Sequence, residues 1–345
     1  MSTSILKPLA VIATLLATAA AQAGAPMARF QAPGFYRTTL GDFEITVLND
    51  GTLDLPVDKL LKQPPAKTVA SLNKSFQKSP LQTSVNGFLI NTGSKLVLID
   101  TGAASLFGPT LGQLVGNLKA AGYKPEQVDE IYISHMHGDH VGGLASNEQR
   151  VFPNAIVRAG KLDADYYLSQ TNLDKASPEA KDNFQGPMVS INPYVKAGKF
   201  QPIVANTELV PGIKSYFNGG HTPGHITYVV ESKGQKLVLL GDLLHVQAVQ
   251  FDEPGVGISF DSDSKVAIAE RKEAFAAAAK EGYLIGAPHL SFPALGHVRS
   301  NGKGGYVYVP VTYTQPRKPN FGVSAHIRTF RARNVRMSAL TPKFI

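Results

Sequence analysis

Short apolar runs rich in β-branched residues alternate with segments of helical spacing along most of this chain. The runs at 43–48 (FEITVL), 87–90, 95–99 (KLVLI), 226–230 and 236–240 read as strands, and 306–313 as a last β-rich run. Residues 131–133 form a shorter buried strand that leads straight into a histidine-rich segment. Between 103 and 121, Leu106, Leu111, Leu114, Val115 and Leu118 recur at helical spacing, with Gly108 and Pro109 delaying the start. An alanine-rich amphipathic helix is expected at 270–280, and the polar stretch 161–185 is expected to hold helix and loop. Strands and helices interleave without a linker or an internal repeat. The expected class is therefore α/β, with one domain over 36–313 after a short lead-in at 24–35.

Composition adds two constraints. The chain of 345 residues has no cysteine, so any metal must be held by histidine and carboxylate and no disulfide forms. Residues 1–23 carry Lys7, an apolar run at 9–20 and the small-residue pattern Ala21-Gln22-Ala23. They read as a secretory signal peptide, with a run too short for a comfortable transmembrane helix. The expected location is the periplasm or outside the cell, with no membrane association after cleavage.

The formal charge of +8 is concentrated at the end of the chain. Arg317, Lys318, Arg328, Arg331, Arg333, Arg336 and Lys343 lie in 315–345 with no acid among them; without these seven and Lys7 the balance is zero. The body gives no reason to invoke nucleic acid, and 314–345 reads as a basic, flexible tail.

The chemistry is concentrated in His135-Met136-His137-Gly138-Asp139-His140. Four candidate ligands follow an apolar strand end, where the backbone is fixed and a loop can aim several side chains at one point. Gly138 is expected to let the chain turn tightly between them. Further donors are expected from His221 in Gly219-Gly220-His221-Thr222-Pro223-Gly224-His225, from Asp242 after the strand ending Leu240-Gly241, and from His289. His225 reads as a loop-orienting residue and His297 as structural. Imidazole and carboxylate together suit a borderline divalent ion, with Zn²⁺ the expected one.

The order HxHxDH, GHTPGH, a strand ending in GD and a late histidine resembles the metallo-β-lactamase superfamily over about residues 36–313. The stretches GFLINTGSKLVLIDTGAA, YKPEQVDEIYISHMHGDHVGGL, LSQTNLDKA, NPYVKAGKF and HLSFPALGH resemble its methyl parathion hydrolase-like branch. The resemblance implies a four-layer αββα sandwich with two divalent metal ions. One would take His135, His137 and His221, the other Asp139, His140 and His289, with Asp242 bridging them. It also implies that Asp100 steadies the histidine-rich loop, that Phe107, Tyr167 and Phe184 form an aromatic wall, and that the chain forms a homodimer. Asp242 stands where thiolate-using zinc β-lactamases carry cysteine. His137 stands where the flavodiiron oxidoreductases carry glutamate, which argues against electron transfer.

Two cations sharing a water lower its pKa toward neutrality, so a bridging hydroxide is the expected nucleophile, with Asp139 or Asp242 moving the proton. His245, Ile258 and Phe260 are expected to face the same pocket and narrow it. A planar lactone or aryl ester then fits better than a tetrahedral phosphotriester. Lactone or aryl-ester hydrolysis is the first expectation and organophosphate hydrolysis the alternative. A non-enzymatic binding protein with a purely structural metal site is the reading from a different class.

Overall fold

The computed structural model describes residue 25 and residues 27–314. The expected signal peptide at 1–23 lies outside the described residues, as does the basic tail apart from residue 314. Residues 27–33 hold no helix or strand.

Two sheets carry the fold. In the first the order is β1 (Phe35–Leu40), β2 (Phe43–Leu55), β3 (Leu81–Asn91), β4 (Leu96–Ile99), β5 (Glu130–Tyr132) and β8 (Ile156–Arg158). In the second it is β15 (Tyr306–Pro310), β14 (Leu295–Ser300), β13 (Leu284–Gly286), β12 (Gln235–Leu239), β11 (Ile226–Ser232), β10 (Ile213–Phe217) and β9 (Thr207–Val210). A two-residue hairpin, β6 (Ala145–Ser146) with β7 (Gln149–Arg150), stands apart.

Strand periodicity divides the core into layers. Phe88 and Ile90 of β3 and Val97 and Ile99 of β4 point toward the second sheet, where they meet Ile226, Tyr228, Leu237 and Leu239. The alternating residues Leu89 and Leu98 point the other way. There they pack on Leu114 and Leu118 of α3 (Leu114–Ala120) and join a cluster with Tyr167 of α5 (Lys161–Tyr167) and Ile191 of α7 (Asp182–Lys196). On the far side, Phe275 and Ala278 of α9 (Ser264–Glu281) cover the second sheet. The result is helix, sheet, sheet, helix: the αββα sandwich of the metallo-β-lactamase fold. Burial on both faces explains why most strands read as apolar runs rather than as alternating patterns.

Several elements differ from the sequence expectation. Only residues 114–120 of the expected 103–121 helix are helical. Upstream, Gly108 and Gly112 take positive φ, and the buried Asp50 carboxylate accepts from the backbone of Ala103, Ala104 and Leu114, fixing a loop instead. Helix α9 begins six residues before the expected 270 because Asp263 caps it, its side chain accepting from Lys265 N and Val266 N. Helix α7, which continues to Lys196 past the expected 161–185 region, contains Pro187 and Pro193 within it. The short helices α1 (Val57–Leu60), α2 (Pro65–Lys74), α4 (Gly138–Val141), α6 (Gln170–Lys175) and α8 (Gln247–Gln250) lie in the connections.

Two parallel pairings position the functional loops. β4 pairs with β5 so that Ile99 lies beside Tyr132, and β12 pairs with β13 so that Leu239 lies beside Gly286. Asp100 and the histidine-rich segment therefore leave adjacent strand ends in one sheet, and Asp242 and His289 do so in the other.

Candidate metal centre

The histidine-rich loop is fixed by Asp100. Its carboxylate accepts from Ser134 N at 2.8 Å and Ser134 Oγ at 2.7 Å, and lies 2.9 Å from His140 Nδ1. Asp100 itself sits at φ 58°, an uncommon conformation for a residue with a side chain. The role expected for it, steadying this loop, has these contacts behind it. Gly138 serves differently from the expectation. It starts a helical turn without a positive φ, and a Cβ there would lie 3.0 Å from the Phe107 ring, so the glycine makes room rather than a tight turn.

The His221 loop does need its glycine. Gly220 has φ +101°, and a Cβ on it would come within 2.4 Å of Ala267 N at the start of α9. This close approach lets Asp261, just before that helix, reach His221 Nδ1 at 3.1 Å. A second buried carboxylate ties this loop to the histidine-rich one. Asp163 Oδ1 accepts from Gly224 N at 2.6 Å, while Oδ2 accepts from Met136 N at 3.0 Å and Thr222 Oγ1 at 2.8 Å.

Sequence reasoning missed both Asp163 and Asp261. Asp261 lies in the polar run Asp261-Ser262-Asp263-Ser264, which reads only as a helix start, and nothing near Asp163 marks it.

His135 Nε2, His137 Nδ1 and His221 Nε2 face one another, with His137 Nδ1 2.9 Å from the first and 3.1 Å from the second. Asp242 Oδ2 lies 3.6 Å from His135 Nε2 and 3.3 Å from His221 Nε2. On the other side of Asp242, Oδ1 is 3.4 Å from His140 Nε2 and Oδ2 is 3.2 Å from His289 Nε2. Asp139 Oδ2 is 3.6 Å from His140 Nε2 and 3.4 Å from His289 Nε2. The seven side chains thus form two donor groups that meet at Asp242.

These distances suit cations. Donors about 2.0–2.1 Å from a tetrahedral ion stand roughly 3.3 Å from one another. His140 Nε2 and Asp242 Oδ1 are buried without a hydrogen-bond partner, a costly arrangement unless something else satisfies them. Moreover, the outward nitrogen of each candidate histidine is engaged. His135 Nδ1 is 3.1 Å from Ser134 Oγ, His137 Nε2 is 3.2 Å from Tyr167 Oη and His289 Nδ1 is 3.1 Å from Ser84 O. Asp100 and Asp261 serve His140 and His221 in the same way. Such outer contacts turn the inner lone pairs toward a shared ion. The residues present therefore fit a pair of divalent cations.

Electrostatics divides the histidines. Against their burial, Asp242 foremost raises His140 and His289 above the usual imidazole range, and hydrogen bonding to Asp242 and Asp261 raises His221 to about 8, so a bound cation would displace protons from these three. Burial, reinforced by neighbouring histidines, pushes His135 and His137 well below the usual imidazole range, leaving neutral rings with lone pairs to donate. Burial alone would raise Asp242, but the surrounding histidines, His140 foremost, hold it well below the ordinary carboxylate range. His225 is pushed down to about 3, by burial first and then by His221. Its Nε2 accepts from Asp242 N at 3.0 Å and its Nδ1 lies 3.0 Å from Asn218 Oδ1. With both nitrogens engaged it orients the Asp242 turn. His297 is exposed on β14, its Nδ1 3.0 Å from Gly282 O, outside the donor groups.

A cleft of about 800 Å³ opens over the cluster, with His137, Asp139, Asp242 and His289 on its floor. Phe107, His245 and Phe260 line it, beside Leu53, Leu55 and Leu106. Three expected pocket residues are corrected. Tyr167 and Phe184 are buried behind His137, packed on each other, and the Tyr167 hydroxyl meets His137 rather than the cleft. Ile258 is fully buried in a satellite core with Val57, Leu61 and Leu72. Residues 259–260 turn instead of continuing a strand, so Ile258 and Phe260 do not share a face.

A layered αββα fold with this cluster at its strand ends defines the class: a metal-dependent hydrolase. The family model described as the metallo-beta-lactamase superfamily matches residues 81–289, and the chain belongs to that superfamily. A solved structure described as hydrolase AbOPH in the beta lactamase superfamily is 38% identical, with a TM-score of 0.78, covering 83% of this chain and 100% of that one. AidC, a dizinc quorum-quenching lactonase solved with the product N-hexnoyl-L-homoserine, is 25% identical with a TM-score of 0.75, covering 82% of this chain and 99% of that one. An N-acyl homoserine lactonase of Bacillus cereus is 25% identical over 197 residues, 51% of this chain and 70% of that protein.

Asp261 gives a direct test of the outer contacts. Asp261→Ala is expected to weaken binding of the first zinc equivalent about 10- to 100-fold by freeing the His221 ring. Competition against a chromogenic chelator measures it. Unchanged affinity in a folded variant would show that His221 is oriented without Asp261.

Proposed function

We propose that this chain is a binuclear zinc hydrolase of lactones or aryl esters, within the methyl parathion hydrolase-like branch. One observation carries the reading: seven donors from four loops meet at Asp242 on the floor of an open cleft with an apolar wall. A purely structural ion would need no such access. The product-bound AidC structure supports a lactone, and the quoted sequence stretches support the branch.

His135, His137 and His221 would hold one cation and Asp139, His140 and His289 the other, with Asp242 shared. When bound, such a pair supplies a nucleophile from water near neutral pH and polarises the carbonyl. The chain supplies the rest. Asp100, Asp163 and Asp261 keep the loops in place. Leu53, Leu55, Leu106, Phe107 and Phe260 receive the apolar part of the substrate and exclude water from it. Asp139, with 18% of its side chain accessible, would carry the proton released at the cleft floor.

Elemental analysis of the zinc-loaded mature protein is expected to give two equivalents per chain. A panel of lactones, aryl esters, phosphotriesters and a β-lactam is expected to show turnover on the first two classes, lost on chelation and restored by zinc. One equivalent under metal excess would overturn the binuclear reading. Turnover that survives complete metal removal would overturn the metal-dependent one.

A further inference from the structure

His245 differs from every other histidine of the centre. Its side chain is 1% exposed, yet neither Nδ1 nor Nε2 has a hydrogen-bond partner. Its ring lies parallel to His289, with centroids 5.2 Å apart and planes 17° from each other, and 5.0 Å from His221. Its Nε2 stands 3.0 Å from Asp242 Oδ2 without hydrogen-bond alignment. That spacing matches the separations among the other donors of the cluster.

The backbone makes this placement firm. Gln250 Oε1 accepts from His245 N at 2.8 Å and from Val246 N at 2.9 Å, and Gln250 Nε2 donates to Val256 O at 3.1 Å. The buried Arg271 donates to Leu243 O through Nε and to Val256 O through Nη1. The segment after Asp242 is thus held at both of its flanks, so the ring is directed at Asp242 by design of the loop. A buried imidazole whose ring nitrogens have no hydrogen-bond partner, beside a carboxylate and a second imidazole, can complete a donor set. Asp242, His245 and His289 do form a third group whose ligand atoms lie within 4.8 Å of one another.

We infer that His245 is an eighth donor of the centre: with Asp242 and His289 it forms a second seat for the cation otherwise held by Asp139, His140 and His289. The inference rests on the binuclear reading above. The two seats share His289, so they would serve one cation as alternatives. Engagement of His245 releases the partly exposed Asp139 carboxylate toward the cleft.

The test uses the full mature chain loaded with zinc, and with cobalt(II) as a spectroscopic probe. Metal content and chelator competition are read for the parent, Asp139→Asn, His245→Leu, His245→Asn and the double variant Asp139→Asn/His245→Leu, with circular dichroism confirming the fold. Asp139→Asn is expected to keep two equivalents, because the His245 seat remains. His245→Leu is expected to bind the second equivalent at least about tenfold more weakly, with altered cobalt d–d absorption, and the double variant to keep only one. If leucine disturbs the fold, His245→Asn with Asp139→Asn carries the same comparison. A parent with two equivalents whose double variant binds the second as tightly as Asp139→Asn overturns the His245 assignment alone. A parent with one equivalent overturns the binuclear reading together with it.

Discussion

Asp242→Ala is expected to lower kcat/KM on a good ester or lactone by about three orders of magnitude or more, about 4 kcal/mol of transition-state stabilisation. The Asp242 carboxylate lies within 3.6 Å of His135, His140, His221, His245 and His289. Without it, these five buried histidines lose the carboxylate they share and only His140 and His289 keep one, Asp139, between them, so cation affinity is expected to fall with activity. His297→Ala supplies the control: the residue is exposed, and among the described residues its ring hydrogen-bonds to Gly282 O and Tyr283 O, away from the donor groups. It is expected to leave kcat/KM within about twofold, as surface substitutions away from special contacts do. Zinc content and steady-state kinetics on both variants decide the matter. Equal damage from His297→Ala at unchanged metal content would show that the late donor has been misplaced.

The centre was legible in the sequence because its donors are short-range punctuation. His135 to His140 stand in one hexapeptide, and Asp242 and His289 each follow an apolar strand by three residues. What holds the donors in place was not legible, because those contacts are long-range and chemically ordinary. Asp163 is one carboxylate in a polar helix, and only the folded chain brings it to Thr222 and Gly224. Asp50 likewise gave no sign that it fixes the loop at 103–113, where leucine spacing alone suggested a helix. The pocket was the least legible part. Phe107 and Phe260 line it, but Tyr167 and Phe184 turn inward, since an aromatic residue read from sequence serves a core as readily as a binding wall.

Substrate preference follows from the walls that remain. The parent is expected to hydrolyse an aryl lactone or aryl ester with a higher kcat/KM than a dimethyl phosphotriester. An ester carbon is planar and becomes tetrahedral, whereas the phosphorus is tetrahedral at the outset and must admit a fifth oxygen in line with its leaving group. The phosphotriester therefore needs more width directly above Asp242. That width is restricted by His245 and Phe260, whose rings lie 5.9 Å apart and both line the cleft. Ile258 takes no part, being buried against Val57 and Leu61, so Ile258→Thr is expected to cost about 1–3 kcal/mol of stability by burying a hydroxyl rather than to reshape the pocket. Phe260→Leu is the informative change, because it widens the cleft without removing a donor. It is expected to raise phosphotriester kcat/KM about tenfold, about 1.4 kcal/mol, within the range that one misfit in an apolar pocket commonly controls. The lactone rate should fall or hold, since the planar substrate gains nothing from the space and loses an aromatic surface. Kinetics of parent and variant on one aryl lactone and one phosphotriester, at saturating zinc, settle the point. A parent that already prefers the phosphotriester, or a Phe260→Leu variant that gains nothing on it, would make organophosphate hydrolysis the better reading of this cleft.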